Sequence, residues 1–525
     1  MHPVLAGRSL KGMKRGLLRT ALRSETGALL GLGAVKLLAH LLVAGRYGFF
    51  RDELYYIVCG RRLAFGFVDH PPLTPLVARV SQALFGGSLL GLRVFPALAG
   101  AATVVLAGLI ARKLGGGRGA QALAAVSVLC APVVLNFDYL LTNNAFDILF
   151  WTLAAYLLTL ILKDGRTRLW PAFGLVAGLA LQNKYSIAFF VAALGLGFLL
   201  TPARKELVRG RFWAGAGVAL AVFLPNLLWQ VRHGLPFIEL NRNAVASKNA
   251  ALSPFQFLGG QLAEASPFVF LVVLIGLFYF LLGREAKPVR AFGWAYAALL
   301  AFFLLSRGKT YYMAAVYPVM IAGGAVALER FSTRFKRRWL IPACLALTIA
   351  GGAVGAPFAI PVLSPDGLVS YGLRLGIVPQ AGEKEALWLL PQHFADQFGW
   401  EKLAEDVARI YDGLSEADKS VCGIFAKNYG EASAVNVLGR RFGLPFAASG
   451  HNSYWLWGLP PGRGEVMIVV GGDASDHLKS YREVVEVGRL SDKYAMPYEN
   501  GRPIYLCRGL KVRLADVWLG VKIFI

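Results

Sequence analysis

Apolar residues dominate the first two thirds of the chain, where long hydrophobic runs alternate with short polar segments. An α-helix needs about 20 residues to cross the hydrocarbon core of a bilayer. This pattern predicts a polytopic α-helical membrane domain over residues 27–360, with eleven spans, or thirteen as the alternative. The runs lie near residues 27–45, 95–111, 119–137, 143–162, 169–182, 185–201, 212–229, 264–283, 291–306, 310–328 and 339–360.

The long hydrophobic runs then stop, and the remaining sequence has the pattern of a water-soluble protein. Residues 361–380 are expected to form a linker, and residues 381–525 a separate domain. Short apolar runs at 420–426 and 465–470 are typical of buried strands, whereas 430–441 has helical spacing. The sequence therefore predicts a C-terminal soluble α/β domain.

The composition agrees with a membrane protein, since 56% of the residues are hydrophobic, 16% are charged and the mean hydropathy is +0.53. The formal net charge is +24. The basic excess lies in short loops between apolar runs, where the positive-inside rule explains it more simply than nucleic-acid binding does. We therefore expect the membrane, and no nucleic acid, as a partner.

Alternate loops differ strongly in their charge. The set that includes the basic N-terminal segment 1–26 carries more than twice as many Lys and Arg residues as the opposite set. The positive-inside rule assigns the richer set to the cytoplasm. We predict a multi-pass protein of the inner (plasma) membrane, with the N-terminus in the cytoplasm. The first long loop, about 47–94, and the C-terminal domain are expected on the periplasmic or extracellular face.

Two acidic sites lie in the loop 47–94. Asp52 and Glu53 form the first, and Asp69, followed by His70 and a Pro-Pro pair, forms the second. Carboxylates close to a bilayer are costly, so their presence indicates function. Asp52 is predicted to be a catalytic base, with Glu53 and Asp69 as further catalytic candidates. A surface ion pair or a helix cap is the alternative for Asp52, and a plain turn is the alternative for Asp69.

Cationic residues on the same predicted face are candidates for binding a donor phosphate. Lys184 and Lys309 lie at the ends of apolar runs, and His70 and Arg93 are further candidates. For the lysines, the alternative is that each extends to the bilayer surface beside tyrosines. The tyrosines expected in the substrate pocket are Tyr55, Tyr56, Tyr311 and Tyr312, the first two on an amphipathic helix at the membrane interface.

The aromatic run in the C-terminal domain and the cysteines each allow more than one interpretation. The aromatic run 451–458 is suited to stacking on a sugar, although a structural turn is the other interpretation. Five cysteines show no metal-ligand spacing, so no cofactor is indicated and only participation of a divalent cation stays open. A disulfide between Cys422 and Cys507 is also left open.

Three motifs in this order resemble the GT-C superfamily of glycosyltransferases. They are Asp-Glu-Leu-Tyr-Tyr at 52–56, Gly-Phe-Val-Asp-His-Pro-Pro-Leu at 66–73 and Lys-Thr-Tyr-Tyr at 309–312. More narrowly, the chain resembles bacterial relatives of protein O-mannosyltransferases and of the lipid A aminoarabinose transferase. The resemblance covers most of residues 45–330, and further matching stretches lie at 143–151, 183–186 and 224–234.

The resemblance implies an inverting glycosyltransferase with a GT-C fold. Its donor would be a sugar on an undecaprenyl-type or dolichyl-type phosphate, and its acceptor a lipid, a glycan or a protein at the exported face. It implies Asp52 as the base and Asp69 as a second acidic position. Asn144 stands where the family often has an acidic residue, and His70 stands where the aminoarabinose transferase pattern has Lys.

A transporter or flippase of a lipid-linked sugar is the main alternative, because it needs a similar lipid-phosphate cavity. Transporters usually show repeated halves and charged residues near the middle of the bilayer. The sequence has no internal repeat, and its acidic sites lie in a loop. These features favour the transferase.

Overall fold

The computed structural model describes residues 25–248, 252–377, 389–462 and 464–525. Most of the predicted cytoplasmic segment 1–26 lies outside the described residues. The end of the predicted linker and the first residues of the predicted soluble domain, 378–388, also lie outside them.

Helices form the membrane domain. Within the described ranges, seven helices have the length and the apolar composition to cross a membrane, and three bent helix pairs bring the number to ten. The seven are Glu25–Val43, Leu89–Lys113, Asn143–Lys163, Gly210–Arg232, Lys287–Leu305, Thr310–Arg334 and Leu340–Ala359. The bent pairs are Arg118–Cys130 with Pro132–Tyr139, Ile187–Leu199 with Pro202–Val208, and Pro254–Ala265 with Pro267–Leu282, and a shorter apolar helix is Thr167–Leu181.

Each of the eleven predicted apolar runs is helical in the structure. The predicted α-helical membrane domain is confirmed, whereas the number of spans stays a prediction. Prolines explain the bends. Pro132, Pro202 and Pro267 each stand at the first position of the second helix of a pair, where a missing backbone N–H costs nothing. The two helices of these pairs meet at 60°, 113° and 110°.

Polar contacts define two opposite ends of the helical bundle. The basic end contains the pairs Lys113–Asp164, Arg330–Glu285, Trp170–Glu206 and Arg211–Thr167. The site end contains the pairs Leu73–Gln182, Lys184–Asn144, Asn226–Phe65 and Arg46–Val362. The short apolar helix therefore begins at the basic end, near Thr167, and leads to the site end at Gln182.

Two helices fill the first long loop at the site end, Arg51–Arg61 and Leu73–Phe85. Glu53 starts the first helix by accepting a hydrogen bond from the backbone N–H of Phe50 at 2.9 Å. The helices pack closely at Gly60, where a Cβ atom would lie 2.8 Å from the carbonyl oxygen of Pro75. The predicted helix through Tyr55 is present, but its core residues are buried and not half-exposed at an interface.

The C-terminal domain contains five strands, β1 (Cys422–Ala426), β2 (Ala447–Ala448), β3 (Val466–Val470), β4 (Tyr481–Arg489) and β5 (Pro503–Leu510). They form a mixed sheet in the order β2-β1-β3-β5-β4. Strands β1 to β3 are parallel, and β5 runs antiparallel to both β3 and β4. The remaining helices at this end are Pro236–Asn243, Pro365–Leu375, Gln392–Ala395, Trp400–Asp412, Glu416–Val421, Tyr429–Val437, Ser453–Trp457, Ala474–His477 and Leu514–Trp518. The predicted α/β domain is thus confirmed.

Cys422 and Cys507 are free and buried, so the disulfide that the sequence left open does not form. Cys422 lies opposite Val466 and Cys507 opposite Met467, on the two flanks of β3. Strands two positions apart in a sheet are about 9 to 10 Å apart. Disulfides need Cα atoms within about 7 Å, which the sheet does not allow here.

The first loop and the C-terminal domain share one hydrophobic core. Leu54, Tyr55 and Val58 of the loop pack with Trp400 and Ile424 of the domain, all of them buried. Burial of these apolar side chains holds the domain against the loop. The domain and the loop therefore lie on the same end of the bundle, so an odd number of crossings must separate the N-terminal side of the first span from the domain.

Candidate functional site

Asp52 lies in the first turn of the helix Arg51–Arg61 and faces the C-terminal domain. The hydroxyl of Tyr429 donates a hydrogen bond to its Oδ1 at 2.8 Å, and the Nε of Arg51 lies 3.8 Å from the same oxygen. The side chain of Asp52 is 32% exposed. Among the described residues, no hydrogen bond or ion pair involves Oδ2, so this oxygen is available to a substrate.

Asp69 is more enclosed than Asp52. The hydroxyl of Tyr55 donates to its Oδ1 at 3.0 Å, and the side-chain amide of Asn452 donates to its Oδ2 at 3.3 Å. Burial raises the pKa of Asp69, while the neighbouring His70 and the hydrogen bond from Tyr55 oppose this shift. Because both of its oxygens already accept hydrogen bonds from the protein, Asp69 is less accessible than Asp52 to the hydroxyl of a substrate.

An aromatic cluster separates and holds the two carboxylates. Tyr55 and Tyr56 are buried, with ring centres 6.4 Å apart. Burial and the nearby carboxylates raise the pKa of both hydroxyls well above the ordinary range, so they stay protonated. His70 is packed inside this cluster, with its ring centre 4.8 Å from those of Tyr56 and Phe67.

The position of His70 bears on its predicted role in phosphate binding. Only 3% of His70 is exposed, its Nδ1 lies 3.0 Å from the carbonyl oxygen of Pro71, and its Nε2 lies 3.7 Å from Asp69. A lipid phosphate would have to displace the surrounding aromatic rings to reach it. The imidazole therefore packs inside the loop, and its phosphate-binding role stays a prediction.

Glu53, which the sequence predicts to be catalytic, and Arg93, which it predicts to bind phosphate, form a buried ion pair with each other. The Nε and Nη2 of Arg93 donate to the two oxygens of Glu53 at 2.9 and 2.8 Å. The backbone N–H of Leu141 donates to Glu53, and Arg93 also donates to the hydroxyl of Tyr139 and to Gln397. All charged atoms have protein partners, so the pair fixes the loop to the bundle.

The two candidate lysines meet at a pair of tyrosines. The Nζ of Lys184 lies 5.9 Å from the ring centres of both Tyr311 and Tyr312, and the Nζ of Lys309 lies 6.0 Å from the ring centre of Tyr311. The Nζ of Lys184 donates to the Oδ1 of Asn144 at 2.7 Å. Burial lowers the pKa of Lys184, the neighbouring Asp147 opposes this shift, and Lys309 adds to it. Two cations beside the same tyrosine ring suit an anion.

The structure connects the carboxylates to the lysines. Thr74, in the second helix of the first loop, donates a hydrogen bond to the side chain of Asn183, and the amide of Asn183 donates to the backbone carbonyl of Asn143. The next residue along the helix, Asn144, accepts the hydrogen bond from Lys184. The candidate carboxylates and the candidate cations therefore lie at the same end of the bundle.

Sequence reasoning missed several residues of this region. Asp147, one turn after Asn144, lies 3.6 Å from the Nζ of Lys184 and accepts a hydrogen bond from Ser186. Its carboxylate lies one helical turn from Asn144, the position at which the resemblance implies an acidic residue. The helical spacing of three residues was a signal for it. Tyr429 and Asn452 had no such signal, because they reach the acidic loop from a distant part of the sequence.

The run 451–458 is a turn and a short helix. Ser453 accepts a hydrogen bond from the backbone of Val68, and its own backbone N–H donates to the hydroxyl of Tyr55. The run thus supports the acidic loop directly. Among the residues that the structure describes, no group of three or more His, Cys, Asp or Glu side chains is arranged to hold a metal ion.

Comparison with known proteins identifies relatives of this chain. Residues 69–229 match the family model described as dolichyl-phosphate-mannose-protein mannosyltransferase. The undecaprenyl phosphate-alpha-4-amino-4-deoxy-L-arabinose arabinosyl transferase of Pseudomonas aeruginosa is 26% identical over 350 residues, 59% of this chain. A second arabinosyl transferase of the same description, from Pseudomonas fluorescens, is 27% identical over 54% of this chain. The chain spans only 60% and 51% of the length of these relatives.

Solved structures show which fold this is. The crystal structure of ArnT from Cupriavidus metallidurans bound to undecaprenyl phosphate matches with a TM-score of 0.61 and 17% sequence identity. The match covers 92% of this chain and 98% of that chain. The apo structure of the same protein gives a TM-score of 0.59. The GT-C fold that the sequence motifs predicted is confirmed.

Proposed function

We propose that this chain is a membrane glycosyltransferase that moves a sugar from a polyprenyl phosphate to a hydroxyl group of an acceptor. The observation that carries the proposal is the partly exposed carboxylate of Asp52 in the same region as the paired cations Lys184 and Lys309. Transfer from a lipid phosphate needs one group to accept the proton of the acceptor and another to stabilise the departing phosphate.

The reaction follows from these two groups. The Oδ2 of Asp52 accepts the proton of the acceptor hydroxyl, whose oxygen attacks the anomeric carbon of the donor sugar. The bond between that carbon and the phosphate oxygen breaks, and the electron pair leaves with the polyprenyl phosphate. An in-line attack on the side opposite the phosphate inverts the configuration of the anomeric carbon.

Negative charge develops on the phosphate as its bond to the sugar breaks. Lys184 and Lys309 are the groups that we assign to this charge, and the face of Tyr311 holds both of them. A cation that acts mainly on developing charge lowers the barrier more than it strengthens donor binding. Lys184 is only partly exposed, so it is less solvated than a surface lysine, which makes it a stronger electrostatic partner.

The names of the relatives support the donor class. The Pseudomonas proteins are described as transferases that use an undecaprenyl phosphate-linked sugar, and the ArnT structure contains undecaprenyl phosphate. We propose a donor of this type. We further propose a lipid, glycan or protein acceptor at the periplasmic or extracellular face, because the more basic loop set belongs to the opposite, cytoplasmic face.

The proposal is tested by measuring release of the leaving group. The purified protein would be incubated with a polyprenyl-phosphate-sugar extract of the producing cells and with envelope extract of a strain that lacks the gene. We expect free polyprenyl phosphate and a mass increase in an acceptor, both measured by mass spectrometry. Movement of the lipid-linked sugar across liposome membranes without release would instead indicate the transporter, which the transferase-family match does not favour.

A further inference from the structure

A tyrosine of the C-terminal domain contacts the proposed base. Tyr429, at the start of the helix Tyr429–Val437, donates to the Oδ1 of Asp52 at 2.8 Å across a sequence separation of 377 residues. Arg51 lies over the Tyr429 ring, with its guanidinium carbon 5.5 Å from the ring centre. The ring centres of Tyr55 and His451 lie 4.8 and 4.9 Å from the ring centre of Tyr429.

The position of Tyr429 is itself fixed. Asn428 caps its helix by accepting from the backbone N–H of Glu431 at 3.0 Å, and the Glu431 side chain accepts from the backbone N–H of Asn428 at 3.1 Å. The side-chain amide of Asn428 also donates to Glu499 at 2.9 Å. Both carboxylates are buried, so this first helical turn has little freedom to move.

We propose that Tyr429 is a positioning residue, which holds the Asp52 carboxylate by Oδ1 so that Oδ2 faces the acceptor hydroxyl. This inference rests on the proposed function and gives the C-terminal domain a part in it. Burial raises the pKa of the Tyr429 hydroxyl well above the ordinary range, so the hydroxyl remains a donor at any working pH. A donated hydrogen bond favours the charged carboxylate, which is the form that accepts a proton.

The kinetic test is the pH profile of polyprenyl phosphate release by Tyr429→Phe, in the assay described above. We expect release about 10- to 100-fold slower near neutral pH, the effect of losing a hydrogen bond to a charged group. The acidic limb should move up by about one pH unit, because the carboxylate is protonated more easily without its donor. Tyr454→Phe is the control, since that hydroxyl binds Ser433 and Asn436 and not a carboxylate.

A purely structural role would give a different result. Tyr429→Phe would then slow release equally at every pH, as Tyr454→Phe is expected to do if it weakens the fold. An unchanged rate or an unshifted pH profile in Tyr429→Phe overturns the inference. If the wild-type protein releases no polyprenyl phosphate, the proposed function itself fails.

A second test measures the stability of the protein and does not require enzymatic activity. Thermal melting of the wild type, Asp52→Ala, Tyr429→Phe and the double variant forms a double-mutant cycle. We expect Tyr429→Phe to lower the melting temperature less in the Asp52→Ala background, because the contact is already lost there. Equal shifts in both backgrounds would show that the two residues are not coupled, and would overturn the inference even if the transferase proposal holds.

Discussion

Lys184 and Lys309 approach the same aromatic ring, with their Nζ atoms 5.9 and 6.0 Å from the ring centre of Tyr311. Lys184 lies between the helices Trp170–Leu181 and Ile187–Leu199, whereas Lys309 directly precedes the helical segment Thr310–Val316. The local sequence around either lysine does not indicate that the other lies nearby. Two like charges are held together at a cost. Asp147 offsets part of this cost at Lys184, and a phosphate beside both lysines would offset more of it, which is the physical basis for assigning them to a phosphate.

Neutralising either lysine should slow transfer more than it weakens donor binding. For Lys184→Met and Lys309→Met we expect single-turnover rates lower by about 10²-fold or more, as for other groups that act on developing charge. Binding of undecaprenyl phosphate should weaken less. Lys287→Met, an exposed lysine at the basic end, is the matched control. Unchanged rates in both site variants would remove the lysines from the mechanism and leave Asp52 unaffected.

Binding of undecaprenyl phosphate should depend on pH through Lys184. Burial lowers the pKa of this lysine below its usual value of 10.5, so its positive charge is lost at a lower pH than that of an ordinary lysine. Affinity should therefore be highest below that pKa and fall as pH rises through it. Lys184→Arg keeps its charge throughout and should lose this pH dependence. The same alkaline fall in Lys184→Arg would assign the titration to another group.

Breaking the Glu53–Arg93 pair should destabilise the protein strongly. Removal of one partner from a buried ion pair costs about 3 to 5 kcal/mol, because the other charge remains buried. Arg93→Met should therefore lower the melting temperature sharply. Lys479→Met, which removes an exposed partner of Asp476, should leave it nearly unchanged. Similar melting of Arg93→Met and the wild type would contradict the buried pair.

Hydrophobic length was a reliable guide to the helices, because the signal lies within each segment. All eleven predicted runs are helical, including 169–182, whose helix Trp170–Leu181 has only 12 residues. The angles between the helices of the bent pairs were less predictable, because a proline permits a bend without fixing its angle. The strands at 420–426 and 465–470 were visible as short apolar runs and form adjacent strands.

Pairing between distant residues could not be predicted from the sequence. Glu53 resembles Asp52 in the sequence, yet the two are consecutive residues of one helix and point in different directions, Glu53 to Arg93 and Asp52 to Tyr429. His70 had the residue type of a phosphate ligand, but the aromatic rings around it are assembled only by folding. The assignment of a charged residue to structure or chemistry depends on these tertiary partners.

The shared core of the first loop and the C-terminal domain predicts their common side of the membrane. Cysteines introduced at exposed Arg79 and Lys479 should react with an impermeant maleimide added to the outside of cells. A cysteine at exposed Arg166, in the basic end, should react only after the membrane is opened. Eleven spans satisfy this pattern. If one of positions 79 and 479 reacted from outside intact cells and the other only after the membrane is opened, the predicted odd number of spans would be wrong.

The most direct test of the mechanism is polyprenyl phosphate release by Asp52→Asn. The amide has nearly the shape of the carboxylate, and its oxygen can still accept from Tyr429, but it cannot take the acceptor proton. We expect normal melting, normal binding of undecaprenyl phosphate and a release rate lower by about 10²- to 10⁴-fold, the usual contribution of a general base. Release at the wild-type rate by a folded Asp52→Asn protein would show that Asp52 is not the base.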